Sequence, residues 1–208
     1  MSVDGGPDPN LNTKLALAIA NAKRGQLSKT AIEAAIAKGQ GKSLSGAPLE
    51  TVTVECMLPH GVAAIVEYQT ESKIRVLQDV RVILNKNGGT VTPTAFLFEK
   101  KGRILFQQQD QLGEDEVLDE AIDAGATDVT TEEGRLVVET APSDVSVVSE
   151  RLQERLKLQV ERAEIIFDPN EESLVELSED QSAELERVVD LIQEEPSLQN
   201  VYVNAISP

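Results

Sequence analysis

Between residues 114 and 168 the hydrophobic pattern spells helix, strand, strand, helix, strand, and that order restricts the fold more than any other feature of the chain. Val117 to Ala124 repeats at helical spacing, Asp128 to Thr131 and Leu136 to Thr140 alternate around a Glu133-Gly134 turn, Ser143 to Lys157 is helical, and Glu161 to Phe167 alternates again. An α-β-β-α-β order with its hairpin between the helices predicts a compact α+β unit of the ferredoxin-like kind.

The flanking segments organise themselves around that unit. Thr51 to Cys56 and Val62 to Tyr68 read as strands joined by a Leu58-Pro59-His60-Gly61 turn. Ser72 to Asn87 reads as a helix with Val76, Leu77, Val80, Ile83 and Leu84 inward, stopped by Gly88-Gly89. Strands Ala95 to Phe98 and Arg103 to Phe106 are expected around a Lys100-Lys101-Gly102 turn. This block has one helix for its strands. The terminal helix Ser178 to Glu194, opened by a Ser-x-x-Gln capping pattern, and the strand Asn200 to Ala205 are therefore expected to return and complete it. At the other end, Leu11, Leu15, Ala18, Ile19 and Ala22 form one helical stripe stopped near Gly25. Thr30 with Glu33 gives a capping-box start for a second helix with Ala31, Ile32, Ala35 and Ile36 inward. Two helices this short enclose no core and need a third helix or a neighbouring domain. The reading is an α+β fold in three domains: a helical domain I over 1–48, an α/β domain II over 49–109 plus 175–208, and an inserted ferredoxin-like α+β domain III over 110–174.

Charge divides along the same line. Up to Arg103, 13 Lys/Arg face 9 Asp/Glu, whereas from Ile104 onward 6 face 27, within a net charge of −17. A basic half beside an acidic half directs attention to a polyanion at the basic one. Lys14, Lys23, Arg24, Lys29, Lys38 and Lys42 are the candidate phosphate contacts there. Lys38-Gly39-Gln40-Gly41-Lys42-Ser43 superficially resembles a phosphate loop, but G-x-x-x-x-G-K-S requires Gly where Ile36 stands and a preceding strand rather than a helix. Gly39 and Gly41 read either as a helix end and linker or as a flexible backbone that approaches a nucleic-acid phosphate.

Other chemistries are poorly provided for. The single histidine, His60, sits in a turn, so a His-based triad or His-rich metal site is out of reach. The single cysteine, Cys56, excludes an intrachain disulfide and reads as a buried small hydrophobe. Glu114-Asp115-Glu116 and Glu171-Glu172 lack calcium-loop spacing and read as solvated charge. Phe96, Phe98, Phe106 and Tyr68 read as core aromatics rather than base-stacking ones, since no RNP-type motif surrounds them. No apolar run approaches membrane length, and MSVDGGPDPN is neither a signal peptide nor a transit peptide. No cofactor, no metal and no enzymatic activity are expected.

DPNLNTKLALAIANAKRGQLSKTAIEAAIAKGQGK resembles the N-terminal helical region of the YebC family, which includes the mitochondrial translational activators of cytochrome c oxidase. VRVILNKNGG followed by FLFEKKGRILF resembles that family's second domain, and LDEAIDAGATDV the opening of its third. The resemblance covers nearly the whole chain and implies the three-domain architecture already read. The family's pattern usually begins with a basic helix of the GHSKWANIKHRK kind; the sequence lacks it, so the first helix of domain I is expected to be missing. Between Gly89 and Phe96 the sequence is shorter than the bacterial pattern, and ILNKNGG is typical of the mitochondrial branch.

The resemblance implies a non-enzymatic translation factor in the mitochondrial matrix that binds the ribosome, through rRNA or mRNA, with domain I and the basic side of domain II (Arg75, Lys86, Lys100, Lys101). The other role ascribed to the family is a DNA-binding transcriptional regulator. Against it, no helix rich in Arg, Asn and Gln for reading base edges is evident. A monomer without membrane association is expected.

Overall fold

The structure, a computed structural model, describes residues 6–107 and 114–206, the side chains of 114–116 excepted. The chain forms two compact units: residues up to His60 with Val66–Thr92 and Glu179–Val201, and Gly61–Ile65 with Pro93–Ser178 and the segment from Tyr202.

The first unit begins with two helices, α1 (Thr13–Arg24) and α2 (Lys29–Gly39). Asn12 caps α1 by accepting the Leu15 N–H, and Gly25 closes it on the Asn21 carbonyl. The cap of α2 is Ser28, whose Oγ accepts the Ala31 N–H at 3.1 Å, not the Thr30–Glu33 box expected from sequence. Ser28 holds the extended backbone a cap requires, which places Thr30 inside the first turn. Leu15 is the one buried residue of α1 and α2 buries none. The facing stripes, Leu15, Ala18 and Ile19 on α1 with Ile32, Ala35 and Ile36 on α2, therefore line an open apolar groove.

Strands β1 (Glu50–Met57), β2 (Ala63–Thr70), β3 (Thr90–Val91) and β9 (Leu198–Val203) form a four-stranded sheet in the order β3-β1-β2-β9. The helix α3 (Lys73–Lys86) buries Val76, Val80 and Leu84, the i, i+4, i+8 stripe its sequence predicts. It packs against α6 (Glu179–Gln193), which buries Leu185, Val188 and Ile192. The return of the C-terminal helix to the first unit is thus part of the fold. Gly89 is required where the chain leaves α3, because a Cβ there would sit 2.9 Å from the Met57 carbonyl oxygen.

The second unit holds β4 (Phe98–Phe106), α4 (Glu114–Ala124), β5 (Ala126–Glu132), β6 (Arg135–Thr140), α5 (Val145–Leu156) and β7 (Val160–Pro169). Its antiparallel sheet runs β5-β6-β4-β7, with Ile104, Phe106, Val138, Val148 and Leu152 in one core. Here the structure departs from the sequence reading in a definite way. Phe98–Phe106, expected as part of a hairpin in domain II, is one nine-residue strand that supplies the missing first β of a β-α-β-β-α-β unit. Ala95–Leu97 is a 3-10 turn and no turn falls at Lys100-Lys101-Gly102. Gly102 serves close packing instead: a Cβ would lie 2.2 Å from Val145 Cγ2 and 2.3 Å from Thr140 Oγ1. Two short strands assigned to domain II, β8 (Val175–Glu176) and β10 (Ala205–Ile206), pair in parallel in this second unit. Immediately before β10, Asn204 is 2 % exposed and its Oδ1 accepts the Ala63 N–H at 2.7 Å.

Candidate nucleic-acid interface

The cations of the first unit differ from those of the second in what they touch. Lys14, Lys23 and Lys42 are exposed, Lys38 is half-buried, and none of the four enters an ion pair among the described residues. Arg24 donates to Asn21 Oδ1 at 2.8 Å, and Lys29 sits 3.6 Å from Glu33 one turn away, a solvent-screened pair worth little. Lys23, Arg24 and Lys38 lie in the last turns of their helices, where they also oppose the negative end of the macrodipole.

In the second unit most positive charge is spent internally, exposed Lys157 excepted. Lys101 lies 2.8 Å from Asp168 and 3.2 Å from Glu139, and the Asp168 hydrogen bond, opposed by partial burial and aided by Glu139, holds its ammonium above the usual lysine range. Arg103 pairs with Glu132, Arg135 with Glu133 and Glu161, Arg155 with Glu120, and Arg162 with Glu164. Arg151 donates to the Ala124 carbonyl, and Lys100 stands 4.7 Å from the centre of the Phe167 ring. The acidic surface around them keeps its excess negative charge.

Sequence-selected residues therefore separate. Lys14, Lys23, Arg24, Lys29, Lys38 and Lys42 belong to one unit with their charge available or weakly screened. Arg75 is in that unit but is shared between Asp79 at 3.4 Å and Glu195 at 4.0 Å. Lys86 is eleven residues further along α3, about 16 Å at helical rise, so the two mark opposite ends of the helix. Lys100 and Lys101 fall in the other unit, on β4. Lys73 and Arg81, exposed and without an ion pair among the described residues, were overlooked by a reading that weighted the N-terminal run.

Gly39 and Gly41 stand where α2 ends. The amides of Gln40, Gly41 and Lys42 donate to the carbonyls of Ala37, Lys38 and Ala37, and that of Ser43 to Ala47. These amides are occupied, and the two glycines end the helix, with Gly41 at φ +68°.

The remaining candidates resolve simply. Tyr68, Phe98 and Phe106 are core, whereas Phe96, expected there too, is 73 % exposed because it lies in a 3-10 turn rather than a strand. His60 takes φ 64° and contacts Glu184 Oε2 at 2.9 Å. Among the described residues no group of three His, Cys, Asp or Glu is placed to hold a metal, and no helix is long and apolar enough to cross a membrane; the side chains of Glu114, Asp115 and Glu116 lie outside the described ones. Cys56 is fully buried, and desolvation pushes its thiol up to about 12. Native protein at pH 8 is expected to resist alkylation by iodoacetamide, with Cys56 labelled once denaturant unfolds the first unit; mass spectrometry of labelled native protein checks this, and rapid labelling would contradict a sealed β1 core.

Residues 1–42 match the family described as TACO1/YebC protein N-terminal domain, and residues 49–205 that described as TACO1/YebC second and third domain. A probable transcriptional regulatory protein of Acidithiobacillus ferrooxidans is 39% identical over 203 residues, covering 96% of this chain and 79% of the relative. One from Caldanaerobacter subterraneus is 36% identical over 204 residues, covering 97% and 82%, and one from Hathewaya histolytica is 33% identical over 208, covering 99% and 83%. The crystal structure of a conserved hypothetical protein from Aquifex aeolicus superposes with a TM-score of 0.69 at 32% identity, covering 100% of this chain and 85% of that one. These relatives are bacterial.

Proposed function

The chain belongs to the TACO1/YebC family of non-enzymatic, nucleic-acid-binding regulators, and from that premise we propose that it holds nucleic acid by the phosphate backbone on the cations of α1, α2 and the loop that follows. The observation that carries this reading is the division of charge: Lys14, Lys23, Lys38 and Lys42 keep their charge unpaired while the second unit pairs most of its own. Backbone contacts of this kind position a protein on a polyanion without reading its sequence.

Structured RNA, the ribosome's included, is the target this surface suits, because the exposed faces of α1 and α2 carry mainly Lys, Thr and Ala, and the base-reading types there, Asn21 and Arg24, are hydrogen-bonded to each other at one helix end and form no row. Activation of translation in mitochondria is the narrower form, supported by the ILNKNGG segment. A second reading, DNA-binding transcriptional regulation, is favoured by the names its bacterial relatives carry. Co-sedimentation with ribosomes and binding to a DNA duplex, both at matched salt, separate the two. Retention on ribosomes with weak, sequence-indifferent duplex binding is expected; strong preference for one DNA sequence would reverse the order.

A further inference from the structure

Where α2 ends and α3 begins, the first unit has a cleft of about 570 Å³, inside the ~300–1,000 Å³ range of small-molecule sites. Its chemistry is divided by position. Lys38 and Lys42 bring unpaired charge to it, and Ser72, whose side chain makes no capping bond, sets the positive end of α3 at its edge. Leu44, Leu49 and the ring of Pro196 give an apolar wall, and the side chains of Gln69 and Glu195 add a donor and acceptors. The carboxylate of Glu71 accepts from Ser45 Oγ at 3.1 Å and keeps its charge, and that of Glu195 lies 4.0 Å from Arg75, so the cations Lys38, Lys42 and Arg75 outnumber the carboxylates of the cleft.

An anion-binding end, an apolar wall and a polar edge within one cleft match phosphate, ring face and ring edge of a single nucleotide. We propose that this cleft receives one unpaired nucleotide of the bound RNA, with its phosphate on Lys38 and Lys42 and its base against Leu44 and Leu49. The proposal rests on the nucleic-acid reading above and adds a preference to it, since a base locked in a duplex cannot enter. Single-stranded recognition commonly pairs a cationic track with such base seats.

The test is fluorescence anisotropy with a labelled 12-nucleotide single-stranded RNA and a blunt RNA duplex of the same length, at one salt concentration. The intact protein is expected to favour the single strand by about 5- to 150-fold, the range of one base contact. Ala34→Phe, which fills the cleft from α2, and Leu44→Gln, which removes the apolar contact at its exposed rim without changing charge or touching the core, should each abolish that preference while leaving duplex affinity and its salt slope unchanged. Equal affinity of the intact protein for both RNAs, or equal losses on both in the Leu44→Gln variant, would overturn the proposal. Binding of neither RNA would instead overturn the nucleic-acid reading and this inference with it.

Discussion

Replacing Lys14, Lys23, Lys38 and Lys42 together by Gln is expected to lower affinity for a structured RNA by about 100-fold at 0.15 M salt and to reduce the slope of log K against log salt by about 3, at ~0.7 to 0.9 per phosphate contact. The effect comes from counterions no longer released, so it is uniform across RNA sequences. The fold is untouched: none of the four side chains is buried or ion-paired among the described residues. Neutralising Arg151, Arg155 and Lys157 is the matched control, because Arg151 and Arg155 are held by Ala124 and Glu120 in the acidic unit. Equal losses from the two sets, measured by salt titration on the same RNA, would show that net charge rather than location governs binding.

The second large effect is on stability. Gly102 sits buried in β4 opposite Thr140 and Ile165, with the first residue of α5 directly above it. A methyl group there meets Val145 Cγ2 at 2.2 Å, Thr140 Oγ1 at 2.3 Å and the Ala141 carbonyl oxygen at 3.1 Å. One of these atoms is backbone and the other two belong to stiff β-branched side chains, so relief requires moving the start of α5. Gly102→Ala is expected to cost about 3 kcal/mol, the upper part of the range for overpacking, and Gly102→Val more. Gly25→Ala is the contrast: its Cβ would rest at ordinary contact distance, 3.5 Å from the Ala22 carbonyl oxygen, at φ −75°. That change should be neutral. Denaturant unfolding followed by a probe in each unit distinguishes them, with the Gly102 variants losing the second unit's transition first.

Hydrophobic period made most elements legible, because a buried stripe leaves the same mark in sequence whatever it packs against. β4 escaped for a physical reason. Phe98, Gly102, Ile104 and Phe106 keep the inward parity of a strand, but Lys100 interrupts it, and a Lys-Lys-Gly run reads locally as a turn. In the fold Lys100 lies over the Phe167 ring of the neighbouring strand and Lys101 is held by carboxylates 38 and 67 residues away, at Glu139 and Asp168. The candidate interface shows the same boundary. Which residues are cationic is written in the sequence; which of them remain available depends on partners that only folding brings close. The amides of Gly41 and Lys42 were consumed by the end of α2, and the cleft joins Lys38 and Lys42 to Ser72 across some thirty residues of chain.

On the proposed reading, the unpaired lysines of the first unit are the surface that meets nucleic acid. Lysine acetylation footprinting, read by mass spectrometry with and without a structured RNA, measures this residue by residue on the intact chain. The expected result is protection of Lys14, Lys23, Lys38 and Lys42 on RNA addition, with Lys100 and Lys157 modified as readily as before. Protection confined to Lys100 and Lys157, or spread evenly over all six, would contradict it.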